Sequence, residues 1–174
     1  MAKRVAIDPV KLVEAAEEFA KEKGGKGRPR PVLLRRAVST AYYARYHGLT
    51  RATAEHLLPS GSDEEKLKIT RLFRHNGVKG VCAKIASREW AKSSPYLDPI
   101  SQGLRGTSLF DVAMVFCDLQ EARHKADYDH LETFSKQATV GLVADAKKAL
   151  KTLDTAPSSE RQAFLALLAM SLRS

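Results

Sequence analysis

The sequence predicts an all-α fold, an antiparallel helical bundle of about five to seven helices. Apolar residues recur at helical spacing through most of the chain, no stretch alternates as a half-buried strand does, and Pro, Gly and capping residues punctuate the periodic segments. The 174 residues read as one domain, 1–174, with no internal repeat, long enough to bury a core without disulfides or a metal.

The first helix is expected from Asp8, a good N-cap, followed by Pro9 at the first helical position and by Leu12, Ala15, Ala16 and Phe19. The connector at 21–31, "KEKGGKGRPRP", ends it. "PVLLRRAVSTAYYARYHGLTRATAEHLL" gives the longest pattern, with a stripe of Leu34, Val38, Ala41, Ala44, Gly48 and Ala52 that lets another helix approach closely, and Pro59 stops it. "SDEEKLKITRLFRH" follows as a short helix capped by Ser62 or Asp63, with acids first and bases last as the helix dipole prefers. Gly77 and Gly80 mark a boundary, after which Val81, Ile85 and Trp90 suggest another short piece.

Residues 91–107, with two prolines and two glycines, read as a long loop. Ser108 then caps a strongly periodic helix bearing Leu109, Val112, Val115, Phe116, Leu119 and Ala122, with a break near Asp129. Phe134, Ala138, Leu142, Ala146 and Leu150 predict the next helix. A last one carries Phe164, Leu165, Leu167, Leu168, Met170 and Leu172, apolar on most of its surface, which serves either the core or a subunit interface.

The formal charge is +9, from 29 Lys+Arg against 20 Asp+Glu. Positions 21–36 hold seven Lys/Arg against Glu22 alone, which is +6 of that total. Such a cluster is either a solvated loop or a guide for a phosphate backbone. On the second reading Lys26, Arg28, Arg30, Arg35 and Arg36 bind nucleic acid, the leading anionic partner ahead of an acidic protein or lipid headgroups. Cys82 and Cys117 sit among apolar residues and read as buried free thiols of a reducing compartment. No stretch approaches the apolar length of a membrane span, so a cytoplasmic protein without a membrane partner is expected.

The chain has no glycine-rich P-loop, no H-E-x-x-H, no CxxC pair and no G-x-S-x-G, so no metal or cofactor is expected. Arginine and histidine remain, a permanent charged fork for phosphate and a group that moves a proton near neutral pH. "DLQEARHKADYDH" concentrates them, and on a continuous helix Arg123 and His130, seven positions apart, return to nearly one face. Two other readings stay open there: Asp127 pairs with Arg123 at i, i+4, and His124 and Tyr128 serve as a helix cap and as packing. Tyr42, Tyr43 and Tyr46 offer base-stacking surfaces or helix packing. His47, His56 and His75 read as ordinary polar or half-buried residues.

"RRAVSTAYYARYH" (35–47), "RHNGVKG" (74–80) and "LQEARHKADYD" (119–129) together resemble the HEPN superfamily of small helical-bundle proteins, over roughly residues 32–150. "ADY" is similar to a subgroup of that family. The resemblance implies that the segment like "AVSTAYYARYH" is a central helix. It also implies a metal-independent ribonuclease motif of Arg123, the polar His124 and His130. The pair Arg51 and His56 has comparable spacing, but Ala52 follows Arg51 where the motif has a polar residue. By the same resemblance the chain is expected to be an RNA-binding protein, working as a homodimer with its cleft across the two-fold axis. Two activities stay open under it: a metal-independent endoribonuclease of toxin or defence type, or a non-catalytic module for nucleic acid, a nucleotide or a protein. An antitoxin or nucleotidyltransferase-type protein is the partner implied.

Overall fold

A computed structural model describes residues 7–21, 30–87 and 96–173. Eight α-helices are present among the described residues: α1 (Pro9–Lys21), α2 (Pro31–Leu57), α3 (Asp63–Thr70), α4 (His75–Ser87), α5 (Asp98–Gly103), α6 (Ser108–Tyr128), α7 (Lys136–Thr155) and α8 (Ser158–Ala169). A 3-10 turn, Met170–Arg173, follows, and there is no strand among the described residues. The fold is an all-α bundle. No helix there is long and apolar enough to cross a membrane.

Local chemistry sets the helix starts. Asp8 caps α1 through its carboxylate, which accepts the Val10 N–H at 2.9 Å. Ser62 and Glu65 form a reciprocal capping box on α3. Ser135 caps α7, its hydroxyl accepting the Ala138 N–H at 3.1 Å. α6 departs from expectation by one residue, since Thr107 occupies the cap position without a side-chain bond and Ser108 is already helical.

α2 is the central element, packed against α1, α3, α6, α7 and α8. Its small-residue stripe is buried throughout, from Leu34 to Ala52. Gly48 marks a close approach: a Cβ there would meet the end of the Leu150 side chain on α7, which would have to shift, and would stand 3.8 Å from Pro9 of α1.

Three expectations are corrected, and one left open, the apolar surface of α8, is decided. Gly77 and Gly80 lie inside α4 rather than at a boundary; the buried stripe Val78, Val81, Cys82 and Ile85 outweighs the roughly 1 kcal/mol that a mid-helix glycine costs. Residues 98–103 of the expected loop form α5, begun by Pro99 and anchored against α8 near buried Ser101 and Leu104. On α7 the inward stripe is Thr139, Val143, Ala146, Ala149 and Leu153; Phe134 precedes the helix and Ala138 is exposed. On α8, Phe164, Leu165, Leu167 and Leu168 are all buried, so its apolar surface belongs to the core. Cys82 is buried and Cys117 half-buried, both unpaired.

Arg45 lies at the middle of α2, completely buried, and its Nε, Nη1 and Nη2 have no hydrogen-bond partner among the described residues. Burial lowers its pKa to about 10, against the opposing pull of Cys82 and Asp154, so it stays cationic at neutral pH. A charge held this way opposes folding. Arg45→Met is expected to keep the helical far-UV spectrum and to raise stability by about 1–4 kcal/mol in urea titration; a lowered midpoint would show that the guanidinium contributes favourably.

Candidate functional site: an arginine set among tyrosines beside a histidine

The C-terminal turns of α6, one face of α2 and the start of α4 meet at the surface. α2 directs Ser39, Tyr43 and His47 along one line at i, i+4 spacing, with Tyr42 and Tyr46 alongside. α6 supplies Arg123, Asp127 and Tyr128, and α4 supplies His75 at its first position.

Arg123 is the charged centre. Its Nη2 donates to the Tyr43 hydroxyl at 3.0 Å and lies 3.5 Å from that of Tyr128. Its Cζ stands 5.8, 5.6 and 5.2 Å from the ring centroids of Tyr42, Tyr43 and Tyr128, within cation–π range. Nε sits 2.7 Å from the Asp127 carboxylate, yet its N–H has no hydrogen-bond acceptor, so the contact is an ion pair without hydrogen-bond direction. Burial works against the charged guanidinium, and the neighbouring Tyr43 and Asp127 oxygens outweigh it, which raises its pKa.

His75 is fixed by rings and one short bond. It stacks on Tyr46 with centroids 3.9 Å apart and an interplanar angle of 27°, and its Nδ1 is 2.6 Å from the Tyr42 hydroxyl. Burial drives the Tyr42 pKa well above the phenol range, so Tyr42 keeps its proton, and it is the donor of this bond when Nδ1 is the unprotonated ring nitrogen. In that tautomer neutral His75 carries its proton on Nε2 and is a donor there. Burial, with Arg123 and His47 adding repulsion, lowers the His75 pKa; burial alone lowers that of His47. Tyr46 steadies the arrangement by donating to the Phe73 carbonyl at 2.7 Å, which ties α2 to the turn before α4.

Of the expected catalytic residues, Arg123 is in this cluster. His124 is exposed, its ring tilted against Tyr128 at 5.0 Å. His130 is exposed beyond the end of α6, and no contact joins it to Arg123 among the described residues. The shared face required helix through position 130, whereas Asp129 is already extended at φ −92° and ψ 105°. Asp127 takes the i, i+4 pairing with Arg123. Tyr42 and Tyr46 are packing residues with bonded hydroxyls, and Tyr43 is half-buried. Arg51 is paired with Glu55 at 3.0 Å.

Among the expected nucleic-acid-binding residues, Lys26 and Arg28 lie outside the described residues, and Arg30 and Arg36 are exposed. Arg35 is engaged elsewhere. It donates to the carbonyls of Ala126 at 2.8 Å, Lys125 at 3.1 Å, Asp129 at 2.6 Å and Glu132 at 2.9 Å, closing the C-terminus of α6. Both thiols stay protonated, burial raising Cys82 well above the thiol range and Cys117 to about 11.

His75 was not legible as a site residue, and Tyr42 and Tyr43 were legible only as base-stacking surfaces or helix packing, not as partners of His75 and Arg123. "RHNGVKG" brought His75 into view as a segment, but nothing in that run shows a partner on α2.

No protein family, curated protein or solved structure matches the chain. The fold and the cluster therefore define it as a helical bundle with a tyrosine-lined cationic site.

Replacing Arg35 by Met should lower stability by about 1.5–3 kcal/mol in urea titration, since several main-chain carbonyls lose a charged donor. Arg36→Met, at an exposed position, should change it by less than about 0.5 kcal/mol. Because the native pKa values of His75 and His47 are lowered from 6.5, stability should be fully present above pH 6.5 and fall as pH drops below it. Glu17 and Glu65, lowered from 4.5, lose their contribution only at lower pH. His75→Gln should flatten the urea midpoint between pH 6.5 and 5; an unchanged slope would show that His75 titrates as it does in the unfolded chain.

Proposed function

We propose that the chain is a HEPN-like RNA-binding protein in which Arg123 and His75 receive a backbone phosphate. The observation that carries this reading is their convergence, from α6 and α4, on the Tyr42–Tyr43 pair of α2 in a chain of net charge +9. Arg123 offers a fork matched to phosphate oxygens, and His75, in the tautomer protonated on Nε2, offers a second donor. Asp127 holds the place of the anion, so a phosphate binds by displacing it from Arg123. Exposed Arg30 and Arg36 extend the attraction along the strand.

Cleavage is the further step of this proposal. In metal-independent cleavage the ribose 2′-oxygen attacks phosphorus and the bond to the 5′-oxygen breaks, leaving a 2′,3′-cyclic phosphate and a 5′-hydroxyl. A base must take the 2′ proton, and an acid must supply one to the leaving oxygen. In the tautomer that accepts from Tyr42, neutral His75 is a donor at Nε2 and not a base, which fits the non-catalytic binding module; with the proton on Nδ1, Nε2 is a base and fits the ribonuclease. His130, exposed and apart from the Arg123 of its own chain, fits the ribonuclease reading through a symmetric homodimer that sets it beside the second copy's arginine. The toxin or defence role, the antitoxin-type partner and the cytoplasmic setting belong to the same proposal.

Fluorescence anisotropy with single-stranded RNA at fixed salt tests it. Arg123→Ala should weaken binding by about 1–3 kcal/mol and reduce the salt slope by about one, and His75→Ala should weaken it to a lesser degree. Asp127→Asn should strengthen it, because the competing carboxylate is neutralised. Arg51→Ala, away from the cluster, should leave it unchanged. Equal affinity for wild type and Arg123→Ala would overturn the phosphate reading, and a cyclic-phosphate product lost in His130→Ala would establish the ribonuclease.

A further inference from the structure

We infer that Tyr128 is a stacking platform for an unpaired nucleobase, so that the site takes single-stranded rather than duplex RNA; this rests on the phosphate reading of Arg123. Three tyrosines contact the Arg123 guanidinium through their rings, and they differ in what else holds them. Tyr42 is fully buried and bonded to His75. Tyr43 is half-buried, with its hydroxyl accepting from Arg123 at 3.0 Å. Tyr128, the last residue of α6, is 59% exposed. Its hydroxyl lies 3.5 Å from Arg123, at the outer limit of a hydrogen bond, so little fixes it but the ring contact.

A large aromatic surface left in water beside a cation suits a partner that brings a π-face and a negative charge together. A nucleotide does so, its base and its own phosphate being separated by one ribose. The Tyr128 centroid and the Arg123 Cζ stand 5.2 Å apart, which allows the base to lie on the ring while the phosphate meets the guanidinium. The exposed His124 ring lies one turn back, 5.0 Å from Tyr128 at a tilt of 54°, so it does not stack parallel on that ring. A base inside a duplex has both faces occupied by its neighbours and cannot lie on a side chain, whereas unstacked bases do so routinely. The exposed stacking face therefore selects the single strand, while Arg123 alone would accept either form of RNA.

The experiment measures anisotropy with three fluorescein-labelled probes: an oligouridylate of about ten nucleotides, the same ribose-phosphate chain without bases, and a blunt RNA duplex. Tyr128→Ala should weaken binding of the oligouridylate by about 5- to 150-fold and leave binding of the abasic chain and the duplex unchanged. Tyr128→Phe and Tyr128→Trp should bind the oligouridylate as wild type does. Arg123→Ala should weaken all three probes. If Tyr128→Ala binds the oligouridylate as tightly as wild type while Arg123→Ala does not, stacking is refuted and phosphate binding stands. If Arg123→Ala changes nothing, the phosphate reading falls and this inference with it. If Tyr128→Ala dissociates a dimer yet leaves affinity per protomer intact, the ring is an interface residue and the inference is again refuted.

Discussion

A helix packed against five others has to be narrow where its neighbours press closest and polar where a partner awaits. The 27 residues of α2 meet the first demand through Ala37, Ala41, Ala44, Gly48 and Ala52, which bring α1, α6 and α7 close. Arg45 is the exception, a buried charge with no hydrogen-bond partner among the described residues. The second demand is met near the N-terminal half, where Arg35, Ser39, Tyr42, Tyr43 and Tyr46 each reach a partner on another element. The site exists because the bundle needs this helix in its centre.

Two kinds of constraint hold that site. Arg123 is fixed by oxygen acceptors and aromatic rings on two helices, and His75 by stacking together with one hydrogen bond shared with a phenol that burial keeps protonated. The rings do more than pack. They keep water from one side of the cation and of the imidazole, which strengthens their interaction with any anion that arrives. The carboxylate of Asp127, also reached by the Ser39 hydroxyl at 3.3 Å, satisfies the cation meanwhile.

Elements with strong periodicity and ordinary caps were legible from the sequence. The start of α1 at Asp8, the buried stripe of α2 and the face of α6 follow from local pattern alone. α4 was not, because Gly77 and Gly80 signal a break whereas the packing of Val81, Cys82 and Ile85 carries the helix through them. α5 escaped for the opposite reason, being six residues long and too short to show a period. At the site, Arg123 stood out because it closes an amphipathic run. His75 did not, since its bond runs to Tyr42 across 33 positions and no local spacing encodes it. Arg35 looked like one more member of a basic cluster; only the fold shows it turned inward onto the end of another helix.

That inward turn of Arg35 bears on electrostatics as well as geometry. The C-terminal end of any helix gathers partial negative charge on its last free carbonyls, and α6 ends beside Arg123, the arginine proposed to receive phosphate. Left open, that end would repel phosphate and oppose the attraction of Arg123. By donating to the carbonyls of Lys125, Ala126, Asp129 and Glu132, Arg35 sets a full positive charge against the negative pole. A helix terminus of the wrong polarity is then compatible with the proposed anion site, because Arg35 offsets the negative pole locally and leaves the field of Arg123 to reach solvent.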